Sequence, residues 1–256
     1  MTGRCSRFTV VAVLLTVTVA FGQIQELTID DLRAKADQGD AEAEYSLGLR
    51  YADGQGVPQD YAQARPLFER AAIQGYAPAE YQLGLLYAGG LGGAQDYGLA
   101  REWYSRAARQ AYTPAEYNLG VLHEEGLGGS QNLVDALRLY RLAAEEGLAN
   151  AQNKLAALYD FGRGVAQDYS EAAALYSLAA VQGHVEAQFN LGTMYANGQG
   201  VARNYVQAHM WFDLAASQAT GESHDLAVRR RDAVAARLTA DEIAEAQRLT
   251  AEFTPR

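Results

Sequence analysis

A period of 36 residues constrains this chain more than any other feature of its sequence. A Leu-Gly or Leu-Ala pair returns five times at this spacing, without insertion or deletion. A fixed period of this size is typical of repeat architectures, in which each unit buries its apolar face against its neighbours. The five pairs are Leu47-Gly48, Leu83-Gly84, Leu119-Gly120, Leu155-Ala156 and Leu191-Gly192. We therefore expect a stack of similar units rather than one compact core.

Each copy contains two stretches with helical spacing. In the first copy, Ala43, Leu47 and Tyr51 lie at i, i+4 and i+8, and apolar residues from Ala64 to Ala72 repeat at i, i+3, i+4, i+7 and i+8. Both spacings place the residues on one face of a helix. The glycines between the stretches suit the positive φ that ends a helix and reverses the chain. The sequence thus predicts an all-α fold with an αα-hairpin in every copy.

The second helix of each hairpin is predicted to begin after a side chain that caps it. Asp and Asn accept hydrogen bonds from the free backbone N–H groups of a first turn. The predicted N-caps are Asp60, Asp96, Asn132, Asp168 and Asn204. Gly or Ala at positions 75, 111, 147, 183 and 219 is expected to close the same helices or to let the next helix approach.

Residues 1–22 are typical of a secretory signal peptide. Two arginines precede an apolar run from Phe8 to Phe21, and Ala20 and Gly22 place small residues where a signal peptidase would cut before Gln23. The run is shorter than the roughly 20 residues of a membrane span, and an uncleaved anchor is the alternative interpretation. The only cysteine, Cys5, precedes the run, so the mature chain must be stable without disulfides. The sequence predicts a periplasmic or secreted protein.

The segments that flank the repeats are predicted to cover the ends of the stack. Residues 23–38 are interpreted as an N-terminal capping helix. Residues 219–256 lack the period and contain two helical stretches, the second with Thr239 and Glu242 in capping-box positions. The candidate inward residues of this pair are Leu226, Val234, Leu238, Ile243, Leu249 and Phe253. Three consecutive arginines, 229–231, are interpreted as solvated or paired with acids.

The acidic balance of the chain argues against two classes of partner. The sequence has 21 Lys and Arg against 31 Asp and Glu, a formal net charge of −10, and cleavage of the leader would remove two arginines and no acids. Nucleic acid and anionic lipid both require a basic surface. No stretch after the leader is long and apolar enough to span a bilayer. We expect no nucleic-acid partner and no stable membrane insertion after removal of the leader.

No motif in the sequence indicates catalysis or metal binding. The four histidines lie far apart, without the H-E-x-x-H spacing of a zinc site. The S-x-x-K, S-D-N and K-T-G motifs of β-lactam-directed serine enzymes are missing, as is the G-x-x-x-x-G-K-[ST] phosphate loop. The glycine-rich segments are explained by chain reversal. The sequence therefore predicts no catalytic residue, no cofactor and no metal.

A longer pattern runs through the copies: A-x-A-x-x-x-L-G-x-x-Y, a glycine turn, and D-Y-x-x-A-x-x-x-F/Y-x-x-A-A, almost complete at 41–72 and 185–216. It resembles the Sel1-like repeat, a relative of the tetratricopeptide repeat. Departures from the pattern are local. Gly93 and Gly129 replace the valine of the turn, His123 replaces a tyrosine, and Ala156 replaces a glycine. The resemblance implies a right-handed α-solenoid of five repeats, at 39–74, 75–110, 111–146, 147–182 and 183–218.

The resemblance also implies a concave groove lined by the first helix of each hairpin. One column is aromatic in four copies and Asn153 in the remaining one, and we interpret it as a ladder of rings for a peptide or sugar. The alternative is an aromatic packing residue of the family. Other positions vary between copies, and specificity is expected there. The candidate partner-binding residues are Tyr45, Leu49, Tyr81, Leu85, Tyr117, Val121, Glu124, Asn153, Phe161, Phe189 and Thr193.

Two classes of function follow from the sequence. The resemblance implies a non-enzymatic exported scaffold that recognises a protein or peptide, as a regulator or assembly factor of envelope or exopolysaccharide systems. The alternative is a cell-wall or β-lactam-directed binding protein or hydrolase, which rests on compartment and family precedent. The scaffold is favoured because no nucleophile is accompanied by a plausible base.

Overall fold

The computed structural model describes residues 27–253, so the predicted signal peptide and its cleavage site lie outside the described residues. Within this range the chain forms thirteen α-helices and no strand, which confirms the all-α prediction. The helices are α1 (Ile29–Ala36), α2 (Ala41–Asp53), α3 (Tyr61–Ile73), α4 (Ala77–Gly89), α5 (Tyr97–Ala108), α6 (Thr113–Glu125), α7 (Leu133–Glu145), α8 (Ala149–Phe161), α9 (Tyr169–Val181), α10 (Val185–Asn197), α11 (Tyr205–Gln218), α12 (Gly221–Ala235) and α13 (Ala240–Glu252). None of these helices is long and apolar enough to cross a membrane.

The chain divides after Gln131 into two compact units. In the first unit, α1 packs against α2, and each helix from α2 to α5 packs against the next. In the second unit, each helix from α7 to α10 packs against the next, and α12 and α13 both pack against α11. Packing between consecutive antiparallel helices is the arrangement of an α-solenoid. Each unit is therefore a stack of αα-hairpins, as the period predicts.

The predicted caps of the second helices are confirmed. Asp60 Oδ1 accepts hydrogen bonds from the backbone N–H groups of Ala62 and Gln63, at 2.9 and 3.1 Å. The equivalent Asp or Asn caps α5, α7, α9 and α11 in the same way. Each first helix ends on a left-handed glycine, with φ between 63° and 72°. The boundaries of the hairpins thus follow from local chemistry.

The residue predicted to close each second helix lies at the end of that helix in all five copies, but its conformation differs in the last copy. Ala111 has a φ of 56°, and the glycines at 75, 147 and 183 also have positive φ. Ala219 is extended, with a φ of −75°. Ala219 nevertheless closes α11 as its C-cap, with its backbone N–H donating to the carbonyl of Ala215, as predicted. Its backbone conformation differs from that of the other four because the chain continues into α12 instead of turning towards another first helix.

The core of the stack is a row of aromatic rings on the second helices. Phe68, Tyr104, Tyr140, Tyr176 and Phe212 are at most 1% exposed. In the first hairpin, Gly48 of the first helix faces the Phe68 ring. A Cβ at this position would lie only 2.6 Å from Phe68 Cε1, so there is no room for a side chain. The Leu-Gly pair therefore lets the two helices of a hairpin approach closely.

The last two helices lie where the sequence predicts helices. Thr239 and Glu242 form the expected capping box, with Thr239 N–H donating to Glu242 Oε2 at 2.8 Å. Val234 is buried, but Leu226 is 39% exposed and Ala227 occupies the inward position instead. The inward assignment of Leu226 is wrong by one residue. The remaining candidates, Leu238, Ile243, Leu249 and Phe253, are half-buried.

Contacts of these helices with α11 involve a ring pair and an ion pair. The Phe253 ring lies 5.5 Å from the ring of Trp211. Arg231 pairs with Asp213 at 2.9 Å and with Asp232 at 3.0 Å, as expected for an arginine that faces acids. The hydrogen bonds that Arg231 donates to Asp213 and Asp232 raise its pKa further above the ordinary value. Arg231 therefore stabilises the contact between α12 and α11.

Candidate functional site

The two predicted ladder tyrosines of the first unit are buried. Tyr45 is 6% exposed, with its ring 5.9 Å from that of Phe68 and 5.2 Å from that of Tyr76. Tyr81 is 4% exposed and makes the equivalent contacts with Tyr104 and Tyr112, at 5.7 and 5.4 Å. The expectation that these rings border a groove is wrong for both, because they fill the space between helices.

The hydroxyl of Tyr81 belongs to a buried polar network. Asn118 Nδ2 donates to Tyr81 Oη at 3.3 Å and to Tyr104 Oη at 3.5 Å. Burial, which penalises the phenolate, raises the pKa values of both tyrosines well above the ordinary range. The two phenols stay neutral, and their role is structural rather than acid–base chemistry.

Two further candidates also lie inside the stack. Glu124 and Asn153 are each 4% exposed. Asn153 Nδ2 donates to Glu186 Oε2 at 3.1 Å, and the Gln131 side chain donates to the backbone carbonyl of Glu124 at 2.7 Å. The half-buried candidates are Leu49, Leu85, Tyr117, Val121, Phe189 and Thr193. Phe161 alone among the candidates is exposed, at 68%.

Phe161 belongs to a column in which exposure to solvent and divergence between copies coincide. Its equivalents, 36 residues apart, are Asp53, Gly89, Glu125 and Asn197. All five residues are exposed and all five differ in type. By contrast, the leucines at 47, 83, 119, 155 and 191 are all buried and identical. The ends of the first helices therefore present a surface that the packing of the stack does not dictate.

The structure contains a row of partly buried polar contacts that the sequence reasoning missed. Gln74 Nε2 donates to Glu44 Oε2 at 2.9 Å, and Gln110 makes the same contact with Glu80 at 2.8 Å. In the second unit Gln182 donates to Gln152 at 2.8 Å, which repeats the contact with an amide acceptor. The signal was present as two polar columns with the 36-residue period. These contacts were overlooked because the two residues of each pair lie 30 positions apart in the sequence.

The charge in this row differs between copies. Glu44 also pairs with Arg70 Nε at 2.9 Å. Where the acceptor is the neutral Gln152, the residue equivalent to Arg70 is Leu178. Burial raises the pKa of Glu80, although Gln110 and nearby arginines oppose this effect. We interpret the row as framework, because these polar side chains hydrogen-bond to each other between packed helices.

The histidines do not form a metal site. His184 Nδ1 accepts from the backbone N–H of Ala187 at 3.2 Å and caps α10. Burial lowers the pKa values of His184 and His209, which favours the neutral rings. Among residues 27–253, no group of three or more metal-ligating side chains comes together.

A cleft between α5 and α6 collects basic groups in the first unit. Its volume is about 400 Å³, and the buried Leu119 is one of its lining residues. Arg101 Nη2 donates to His123 Nδ1, Arg109 donates to Ser105 Oγ at 3.3 Å, and the Arg106 guanidinium lies 4.5 Å from the centre of the Trp103 ring. The lining residues are Arg101, Glu102, Ser105, Arg106, Arg109, Leu119 and His123. The cleft is suited to binding an anionic group through guanidinium N–H donors.

Comparison with known families decides the assignment of the repeats. The sequence model of the Sel1 repeat matches five times, at 41–76, 77–112, 113–148, 149–184 and 185–219. The chain belongs to the Sel1 repeat family. The matched repeats begin two residues later than the boundary at 39 expected from the sequence, which leaves their number and order unchanged. Sel1 repeats generally mediate protein–protein interactions, and the family is typically a non-catalytic scaffold.

Solved structures of similar proteins have the same architecture. A Sel1 repeat protein from Oxalobacter formigenes is 32% identical, with a TM-score of 0.73 over 80% of each chain. The protein c5321, a protective antigen of uropathogenic Escherichia coli with an SLR fold, is 30% identical with a TM-score of 0.60, and the match covers 88% of this chain. This chain spans 55% of the length of c5321. A search of curated proteins finds no match.

Proposed function

We propose that this Sel1 repeat protein is an exported, non-enzymatic scaffold that binds a protein or peptide partner in the bacterial envelope. In this role it acts as a regulator or assembly factor of an envelope or exopolysaccharide system. Export is supported by the leader, with its apolar run and small residues before Gln23. The scaffold role is supported by the family, whose repeats generally mediate protein interactions.

One observation carries the binding proposal. The column of Phe161 is exposed in all five copies and differs in every one, whereas buried columns repeat. Packing constrains the buried positions, so divergence at exposed positions is where recognition of a partner would be encoded. A phenylalanine that is 68% exposed is also the kind of side chain that anchors protein interfaces.

A pull-down from envelope extract tests this proposal. The bait is the chain from Gln23, compared with its Phe161→Ala variant. Ile73→Ala is a matched control, because Ile73 is a large apolar side chain that is 78% exposed on a second helix. We expect one protein to be recovered by the wild type and by Ile73→Ala, and strongly reduced recovery with Phe161→Ala. Equal recovery by all three baits would contradict the role of this column.

Two further measurements test the remaining parts of the proposal. Mass spectrometry of the exported protein should give an N-terminus at Gln23, and a chain that retains Met1 in the cytoplasm would contradict export. Purified protein should not turn over nitrocefin or muropeptides. Turnover that is lost when one polar surface residue is mutated, with helical content unchanged, would replace the scaffold by an enzyme.

A further inference from the structure

Three arginines of one helix meet in the cleft of an otherwise acidic protein. Arg101, Arg106 and Arg109 all lie on or directly after α5. In the part of the chain that the structure describes, none of their guanidinium groups lies within ion-pair distance of a carboxylate, whereas Arg70 of the preceding hairpin pairs with Glu44 at 2.9 Å. Glu102 is the one acid that lines the cleft, and Arg106 and Arg109 also act electrostatically on the buried Glu80. With three arginines against these two acids, the local charge of the cleft is opposite in sign to the formal net charge of −10.

The arginines are held apart by their neighbours. Arg101 is held at His123, and Arg109 donates to Ser105. One guanidinium group therefore lies at α6 and the other lies against α5, on the two helices that line the cleft. Each keeps further N–H donors that can bind a carboxylate.

We propose that this cleft binds an acidic peptide segment of a partner protein. Carboxylates of the peptide bind Arg101 and Arg109, and Arg106, which lies over the ring of Trp103, supplies a third positive charge. This proposal rests on the proposed scaffold function and specifies that the partner binds through an acidic segment.

A short acidic peptide fits the cleft better than a long polyanion does. A nucleic acid would extend beyond the cleft over an acidic surface, where like charges repel it. A peptide with a few carboxylates gains the guanidinium contacts without this repulsion. Guanidinium and carboxylate groups form paired, charge-assisted hydrogen bonds.

The probe for this proposal is fluorescein-labelled hexaglutamate, with labelled hexaglutamine as the neutral peptide. Fluorescence anisotropy measures binding to the mature chain and its variants at two salt concentrations. We expect hexaglutamate to bind, hexaglutamine not to bind, and the affinity for hexaglutamate to fall as salt screens the charges. Arg109→Glu should weaken hexaglutamate binding about tenfold or more.

Arg138→Glu is the matched control, because Arg138 is an exposed arginine on a second helix and pairs with Asp135 at 3.7 Å. It makes the same change of charge outside the cleft and should retain binding. Arg109→Gln adds no negative charge at the end of α5, and a smaller loss is expected for it. Circular dichroism checks that each variant keeps the helical content of the wild type.

Several outcomes would overturn the proposal. Equal losses from Arg109→Glu and Arg138→Glu would show that only net charge matters. Binding of a phosphoserine peptide in place of hexaglutamate would assign the cleft to phosphate. A dimer at low salt that Arg109→Glu dissociates, without hexaglutamate binding, would assign it to a second copy of the chain. If the pull-down partner is retained by Arg109→Glu and hexaglutamate fails to bind, the scaffold function stands and the cleft assignment falls.

Discussion

At the scale of the residue, Gly48 lies where the first helix of a hairpin meets the aromatic ring of the second. A Cβ at this position would lie 2.6 and 2.8 Å from two atoms of the Phe68 ring. Phe68 is fully buried and has no room to move away. The absence of a side chain at this one position therefore sets the distance between two helices.

Gly48→Ala is expected to destabilise the protein by about 1–3 kcal/mol, because the added methyl group overpacks the core. The free energy of unfolding in urea measures this change. Gly98→Ala is the control, since a Cβ there meets only Asp96 Oδ1, at 3.1 Å, and alanine favours a helix over glycine by up to about 1 kcal/mol. An unchanged stability of Gly48→Ala would show that the hairpin expands at no cost.

A second prediction at the scale of the residue concerns the carboxyl group of Glu80. Burial raises its pKa above the ordinary value of 4.5, so the folded state holds a proton that the unfolded state releases. The free energy of unfolding therefore falls as pH rises through the window above 4.5. Glu80→Gln should remove this fall and stabilise the protein at neutral pH, as in the copies that carry Gln152 and Gln188. Urea unfolding at pH 4 to 8 measures both effects.

Glu44→Gln provides the comparison for Glu80→Gln. Glu44 pairs with Arg70 at 2.9 Å, and the neutral amide would lose this charge–charge attraction. We expect lower stability for Glu44→Gln at neutral pH, opposite in sign to Glu80→Gln. Two changes of the same sign would contradict the different balance of charge in the two copies.

At the scale of the element, the second helices depend on their caps. Each begins with an Asp or Asn whose side chain accepts from the first turn. Such a bond satisfies a backbone donor that the helix itself leaves free. The chain has Asp in some copies and Asn in others at this position, so either residue can cap the helix.

Asp96→Ala is expected to cost about 1 kcal/mol, because the backbone N–H of Leu99, now 3.0 Å from Asp96 Oδ1, loses its acceptor. Asp96→Asn should be close to neutral, as Asn132 and Asn204 cap the equivalent helices. Thermal and urea unfolding of the two variants give the comparison. Equal losses would mean that the charge of Asp96, rather than its hydrogen bond, stabilises α5.

At the scale of the whole molecule, stability in a repeat protein comes from contacts between neighbouring elements. The fifth hairpin is covered by α12 and α13, which both pack against α11. Ala227 and Val234 of α12 are buried among residues of this hairpin. The last helices therefore complete the core of the final copy.

Removal of residues 221–256 should unfold or loosen α10 and α11, while α2 to α5 keep their protection. The reason is that each repeat is stabilised mainly by its neighbours. Hydrogen exchange followed by mass spectrometry measures the protection of the backbone amides in each helix. Arg231→Gln in the full chain is a milder variant that removes only the ion pairs of Arg231 with Asp213 and Asp232. Loss of protection throughout the chain would indicate one cooperative unit instead.

Part of the candidate site was predictable from sequence and part was not. The exposed and variable position of Phe161 was among the sequence candidates, because divergence between copies is visible in the sequence. Tyr45 and Tyr81 were misassigned, since periodicity places a ring on a helix face without stating which neighbour covers it. The cleft around Arg101 and Arg109 was not foreseen, because its lining comes from two helices.

The sequence by itself determined the number of copies, the two helices of each hairpin, their caps and their glycine turns. These features depend on bonds between residues a few positions apart, so their chemistry is present in any short stretch of the chain. The tertiary structure decided which rings are buried, that Gln74 meets Glu44 across 30 residues, and that three arginines share a cleft. Those outcomes depend on how packed helices are rotated against each other, which residue spacing along one helix does not specify.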